Sequence, residues 1–368
     1  MKNSITVFIL IILFVAGINC FSQESDDSIP EVEIAGTQLL KLHSSIVNQD
    51  YILYINIPRF FDDTTRTFPV IYLLDAQWDF TLLNAIYGEQ YYDGFLPEAI
   101  IVGITWGGVN PNPDILRRRD FTPTKEGNNP VGGDAGKFLS FIKNELIPFI
   151  DSKFKTKPRD RTLMGCSLGG LFTIYALFNE TGLFNRYILT SPAIGWNNGI
   201  ISTYEKKYLQ NGSDIPVKVS MAVGGYEDVN AFQKFVDNLK EKKYKGLDLN
   251  SFVIDGIGHS GGKAEGYTRG LQFVFNKGDV PVEPDILKKY TGTYQIPTGF
   301  QIKLRLEDNH LVAEIPGNGN KILHASSESN FYIIGQYLKV HFRNDDEGNT
   351  TGLQVETYDN KFFMKKIN

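Results

Sequence analysis

Cysteine is nearly absent: two occur in 368 residues, Cys20 and Cys166. A disulfide framework and a cysteine-based metal site are thereby excluded, since each needs a set of thiols. Clustered positive charge is also lacking. Lys and Arg number 37 against 42 Asp and Glu, for a net charge of −5. Nucleic-acid binding is disfavoured on that ground, because phosphate contacts need clustered Lys and Arg. Long hydrophobic runs are missing too. The stretch from Ile5 to Val15 is shorter than the ~20 residues of a membrane span. With Lys2 before it and Ser22-Gln23 after it, it reads as an export signal over residues 1–22. The mature chain is then periplasmic or extracellular and has no transmembrane segment. Cys20 offers an alternative, a lipid anchor, although Asn19 stands where a small residue is expected.

What remains has ordinary globular composition, 42% hydrophobic and 21% charged, and a length that suggests about two domains. Residues 23–35 are acidic and polar and read as a leader. Gln38 to Pro58 is strand-like. Phe68 to Asp75 and Ala99 to Ile104 are short, continuous apolar runs, as expected for strands covered on both faces. Asp134 to Phe154 predicts an amphipathic helix with Phe138, Ile142, Leu146 and Ile150 on one stripe, kinked or ended by Pro148. Further strands are expected at 161–165, 187–191, 217–223 and 251–255, with helices between them. The alternation predicts an α/β fold with a mostly parallel sheet over residues 36–275. A linker follows at 276–285. Residues 286–368 read as a small all-β domain, barrel-like. Its strand-patterned runs are Gln301–Leu306, His310–Ile315, Phe331–Ile334, Tyr337–Phe342, Leu353–Thr357 and Phe362–Lys365.

Gly165-Cys166-Ser167-Leu168-Gly169 matches G-x-S-x-G, between a buried strand and a helix. That is the setting the motif requires: a sharp turn that exposes the serine hydroxyl beside a helix N-terminus. A serine hydroxyl needs a base. Of five histidines, only His259 follows a sheet strand in the right chain order, in a glycine-bracketed loop. A carboxylate after the preceding strand would orient the imidazole. Glu227 and Asp228 are both available; spacing favours Glu227, with Asp228 as a helix cap. For the oxyanion, the N–H of Leu168 is one donor, and Gln77, after the first buried strand, is favoured as the other.

Trp78 is a candidate wall of the acyl pocket or a core residue. Trp106 and Trp196 follow sheet strands, where clefts form. The run Arg117-Arg118-Arg119-Asp120 has two readings. One is an anion-binding rim, with Arg119 contacting substrate; the other is an internal Arg–Asp network. No metal or organic cofactor is expected.

These residues resemble the esterase family of α/β-hydrolases that includes S-formylglutathione hydrolase-like, feruloyl and siderophore esterases and mycolyltransferases. The likeness is carried by 69–75, 119–123, 145–150, 165–171 and 191–193, and is strongest to the siderophore-esterase branch. It implies Ser167 as nucleophile, His259 as base and Glu227 as acid. The expected function is a secreted serine ester hydrolase acting on a small-molecule siderophore ester or a glycan-linked acyl ester. An acyltransferase and a non-catalytic binding protein are the rivals. Ala76 and Cys166 depart from the family pattern, at the places where glycine and histidine or tyrosine are common.

Overall fold

The computed structural model describes residues 33–367 apart from residues 60, 213 and 277. The export signal expected at 1–22, with Cys20, lies outside the described residues. Gly36–Asn368 holds together as one compact unit. Among the described residues, no helix is long and apolar enough to cross a membrane.

Eight strands form the main sheet: β1 (Thr37–Ser44), β2 (Gln49–Asn56), β3 (Phe68–Leu73), β4 (Ile100–Trp106), β5 (Thr156–Cys166), β6 (Arg186–Thr190), β7 (Lys218–Gly224) and β8 (Asp248–Ile254). Their order is β1-β2-β4-β3-β5-β6-β7-β8. β1, β2 and β4 pair antiparallel; the remaining pairs are parallel.

Among the described residues, nine helices connect them: α1 (Ala76–Tyr92), α2 (Pro113–Phe121), α3 (Ala135–Phe141), α4 (Ile147–Lys153), α5 (Leu168–Asn179), α6 (Trp196–Gly199), α7 (Ile201–Asn211), α8 (Val229–Glu241) and α9 (Gly262–Phe275). The two-residue period of β3 sends its side chains into two cores. Val70 and Tyr72 join α3, α5 and α8 on one face. Ile71 and Leu73 meet α1 and α9 on the other. Each such fully buried aliphatic side chain contributes about 2 kcal/mol, which is why these strands are apolar throughout rather than alternating.

The helix expected over 134–154 does not stop at Pro148. A π-helical turn, Ile142–Leu146, joins α3 to α4, and Pro148 falls in the first turn of α4. The wider turn accommodates the N–H that proline lacks. Phe138, Ile142, Leu146 and Ile150 stay fully buried across the junction.

After α10 (Pro284–Lys289), eight antiparallel strands close a barrel: β9 (Gly292–Gln295), β10 (Gln301–Glu307), β11 (His310–Ile315), β12 (Gly319–Ala325), β13 (Asn330–Tyr332), β14 (Leu338–Asn344), β15 (Thr350–Thr357) and β16 (Lys361–Lys366). Closure comes from β9, which pairs with both β10 and β16. β9 and β12 are strands that the alternation pattern alone does not reveal. One is only four residues long, and the other begins inside the glycine- and asparagine-rich stretch 317–320. Tyrosines seam barrel to hydrolase: Tyr91 of α1 meets Tyr337 and Tyr358 edge-on, at 5.3 and 5.9 Å between ring centroids. Gly94 is required there, because a Cβ would lie 2.3 Å from the Gln336 carbonyl oxygen.

Candidate active site

Ser167 sits between β5 and α5 with φ 59° and ψ −118°. A serine in this region is strained by roughly 1–3 kcal/mol, so its surroundings must hold it. Its N–H donates to the Thr190 carbonyl at 3.1 Å, and its own carbonyl accepts from Leu171 and Ala193 at 3.0 Å. The turn closes only around glycine: a Cβ at Gly165 would stand 2.5 Å from the Gly169 carbonyl carbon. Leu168 is the first residue of α5, so its N–H has no partner within the helix.

α1 presents a second free helix N-terminus. Its cap, Asp75, is left-handed (φ 54°) and makes no side-chain cap bond, which leaves the Gln77 N–H in the unpaired first turn. The two turns touch: a Cβ at Gly169 would lie 3.3 Å from Asp75 Oδ2. Dipoles of both helices therefore favour negative charge near Ser167. The Gln77 side-chain amide is buried with neither atom hydrogen-bonded.

The loops after β7 and β8 are stitched together by their backbones. Tyr226 N–H donates to the Ile257 carbonyl at 3.1 Å and Gly225 N–H to the Ile254 carbonyl at 2.8 Å. This register brings His259 to Glu227, with Nδ1 2.5 Å from Oε2. The other Glu227 oxygen accepts from the Ser191 hydroxyl at 2.6 Å and the Gly224 N–H at 2.9 Å. Burial pushes the Glu227 carboxyl up, but the hydrogen bonds from Ser191, His259 and Gly224 outweigh it and hold it below the usual range. Asp228 instead caps α8, accepting from Ala231 N–H at 2.9 Å. Sequence reasoning gave Ser191 no role; its only signal was membership of the 191–193 motif.

Ser167 and His259 lie on the same rim, at the carboxyl ends of β5 and β8, and Thr190 neighbours Ser167 and Gly262, three residues after His259. Its carbonyl holds the Ser167 N–H, and a Cβ at Gly262, at the start of α9, would lie 3.7 Å from its Cγ2. No hydrogen bond joins the Ser167 hydroxyl to His259 in this structure; such contacts tighten on substrate binding in many hydrolases.

Beneath this rim lie buried charges. Arg117 forks onto Asp75 at 3.0 and 2.8 Å. Lys263 and Tyr267 of α9 both donate to Asp79 of α1, at 2.6 and 2.7 Å. Burial pushes the Cys166 thiol up to about 12.

The arginine run resolves mostly into an internal network. Arg119 forks onto buried Asp120 at 2.7 and 3.0 Å and reaches Gln49 at 3.2 Å, so the substrate contact expected of it meets a guanidinium already occupied. Arg118 is tied more loosely, stacked over the Trp196 ring at 5.0 Å and 3.7 Å from Glu126. Trp196 is itself buried, its indole N–H bonded to the Thr124 carbonyl. Trp106 is a core residue rather than a cleft wall, donating to Asp120 at 2.7 Å. Trp78 is 49% exposed, with Arg117 over its ring at 5.6 Å.

The chain is similar to known proteins. Residues 276–368 match a domain of unknown function, DUF3471. The chain is 31% identical over 223 residues to the ferri-bacillibactin esterase BesA of Bacillus subtilis (strain 168), covering 56% of this chain and 76% of that protein. The solved BES protein from Bacillus cereus superposes with a TM-score of 0.62 at 26% identity, over 67% of this chain and 98% of that one. An IroE-like serine hydrolase from Shewanella oneidensis gives 0.57 at 26% identity, over 65% and 80%. Residues 44–234 match the family described as "Putative esterase", and the chain belongs to that family of ester hydrolases.

Proposed function

We propose that this chain is an exported serine ester hydrolase that opens the ester bonds of a siderophore, with residues 36–275 as the catalytic domain, 276–285 as linker and 286–368 as an accessory β domain. The observation that carries the catalytic part is the Glu227–His259 contact of 2.5 Å, on the same rim as a serine held at φ 59°. With Nδ1 engaged by Glu227, the imidazole has Nε2 for the serine proton.

Ser167 Oγ attacks the ester carbonyl carbon as its proton passes to His259. The N–H groups of Leu168 and Gln77 hold the oxyanion. The C–O bond to the alcohol breaks, and the alcohol leaves with the proton from His259. Water, deprotonated by His259, then cleaves the acyl-serine and releases the acid. Glu227 remains ionised and stabilises the imidazolium. The substrate class rests on BesA, a ferri-bacillibactin esterase. Export rests on the 1–22 sequence pattern.

The test is a panel of a tri-catecholate lactone, a feruloyl ester and p-nitrophenyl acetate, with wild type and Ser167→Ala. The lactone should give the highest kcat/KM, and Ser167→Ala should lower kcat about a millionfold. Undiminished turnover by Ser167→Ala would remove the serine mechanism. A preference for the feruloyl ester would remove the siderophore.

A further inference from the structure

A cleft of about 1010 Å³ lies between hydrolase and barrel, at the end of the sheet away from Ser167. Its sheet wall is built where β3, β5 and β6 begin, around Phe68, Asp160 and Arg186. Six residues of β5 separate Asp160 from Ser167, a distance of roughly 20 Å. The cleft is therefore distinct from the candidate active site, and its volume is at the upper end for small-molecule sites.

Its lining is cationic in a chain of net charge −5. Seven Lys and Arg side chains line it against three carboxylates, Glu98, Asp160 and Glu356. Each carboxylate already has a cation: Arg66 on Glu98 at 2.8 Å, Lys157 on Asp160 at 3.0 Å and Lys339 on Glu356 at 3.4 Å. Arg343, on the barrel wall, has no ion pair among the described residues. His341 reports the same local field: burial first, then the charges of Arg343 and Lys361, hold its imidazole below the usual range. Flat apolar surface accompanies the charge. Phe95 and Phe273 come from the hydrolase, and Tyr332 and Ile334 from the barrel. Cations set on low-dielectric walls focus a positive potential, and aromatic walls favour a planar partner.

We propose that this interdomain cleft is a second binding site, which takes an organic anion with a flat apolar body, of the class of an aromatic carboxylate. The carboxylate meets Arg343 and its cationic neighbours, and the ring system lies against the aromatic walls. Hydrolase and barrel each supply half of the site, which gives the barrel a role in ligand capture. The proposal does not depend on the ester chemistry.

Calorimetric titration of the full chain with 2-naphthoate, against 2-naphthylmethanol and inorganic phosphate, tests it. Saturable 1:1 binding of naphthoate is expected, about tenfold weaker for the neutral alcohol and for Arg343→Gln, since one charge-assisted contact is worth about that factor. Ester turnover should be unchanged in Arg343→Gln. Several results would each overturn the proposal. These are no saturable binding up to the solubility limit, equal binding of the alcohol, and phosphate binding as tightly as naphthoate. Competitive inhibition of ester turnover at the binding constant would do the same, because it places the ligand at the rim of Ser167. A chain without esterase activity that still binds naphthoate leaves this site standing and removes only the hydrolase.

Discussion

Lys263 Nζ lies 2.6 Å from Asp79 Oδ1, and this contact ties the helix that follows the His259 loop to the helix that presents the Gln77 N–H. Asp79 is buried and Lys263 nearly so, and the Tyr267 hydroxyl completes the carboxylate's shell. The pair fixes the proposed base and one proposed oxyanion donor to a common frame.

Lys263→Met should therefore injure both stability and rate. It leaves Asp79 buried with only a tyrosine hydroxyl, a loss of about 3 kcal/mol. Loosened loops should lower kcat about 10- to 100-fold, with KM for p-nitrophenyl acetate little changed. Thermal unfolding and steady-state kinetics read the two effects. Wild-type kcat in a folded variant would show that the pair has no positioning role.

The two adjacent acids should separate cleanly. Glu227→Gln keeps the shape beside His259 but removes the charge that would stabilise an imidazolium, and kcat should fall about 10³- to 10⁴-fold. Asp228→Ala should cost about 1 kcal/mol through its lost helix cap and leave kcat intact. The reverse ranking would move the acid to Asp228.

The same carboxylate predicts a pH effect on stability. Its folded pKa lies below the ordinary 4.5. Its contribution is thus fully present above the unfolded value and is lost as pH falls through the folded one. The Tm gap between wild type and Glu227→Gln should be constant from neutrality down to pH 4.5 and shrink below it. A gap that grows on acidification would contradict the assigned direction.

How much of this was legible in the sequence depended on range. The G-x-S-x-G turn, the histidine after the last sheet strand and the acids after the one before it are read from local pattern and strand order, and the structure sets their loops along one rim. What the sequence could not show is which partner a charged group selects. Arg117 and Arg119 are two residues apart, yet one forks onto Asp75 and the other onto Asp120. The Ser191 hydroxyl reaches Glu227 across 36 positions. Trp106 looked like a loop residue because its strand, β4, extends two residues beyond the apolar run that marked it. The π-helical turn before Pro148 similarly has no periodic signature.

Cys166, next to Ser167, should be chemically silent. It is buried, and burial pushes its thiol up to about 12, so almost no thiolate exists near pH 8. A thiol-specific disulfide reagent should leave the folded chain unmodified and ester turnover intact, then label Cys166 on denaturation. Rapid labelling of the native protein with loss of activity would mean the β5 end opens in solution.

Ser167→Gly should trade turnover for stability. Serine at φ 59° and ψ −118° is held in a conformation that glycine adopts freely. Relief of that strain stabilises the folded state, whereas the freedom glycine adds to the unfolded chain opposes it by up to about 1 kcal/mol. With strain of roughly 1–3 kcal/mol, the first term prevails. The variant should melt at or above the wild-type temperature while losing ester hydrolysis. Ser167→Ala lacks the hydroxyl but keeps the Cβ, and should gain no such stability. Calorimetry on the three proteins compares them directly. A Ser167→Gly variant clearly less stable than Ser167→Ala would show that the backbone at Ser167 is not strained.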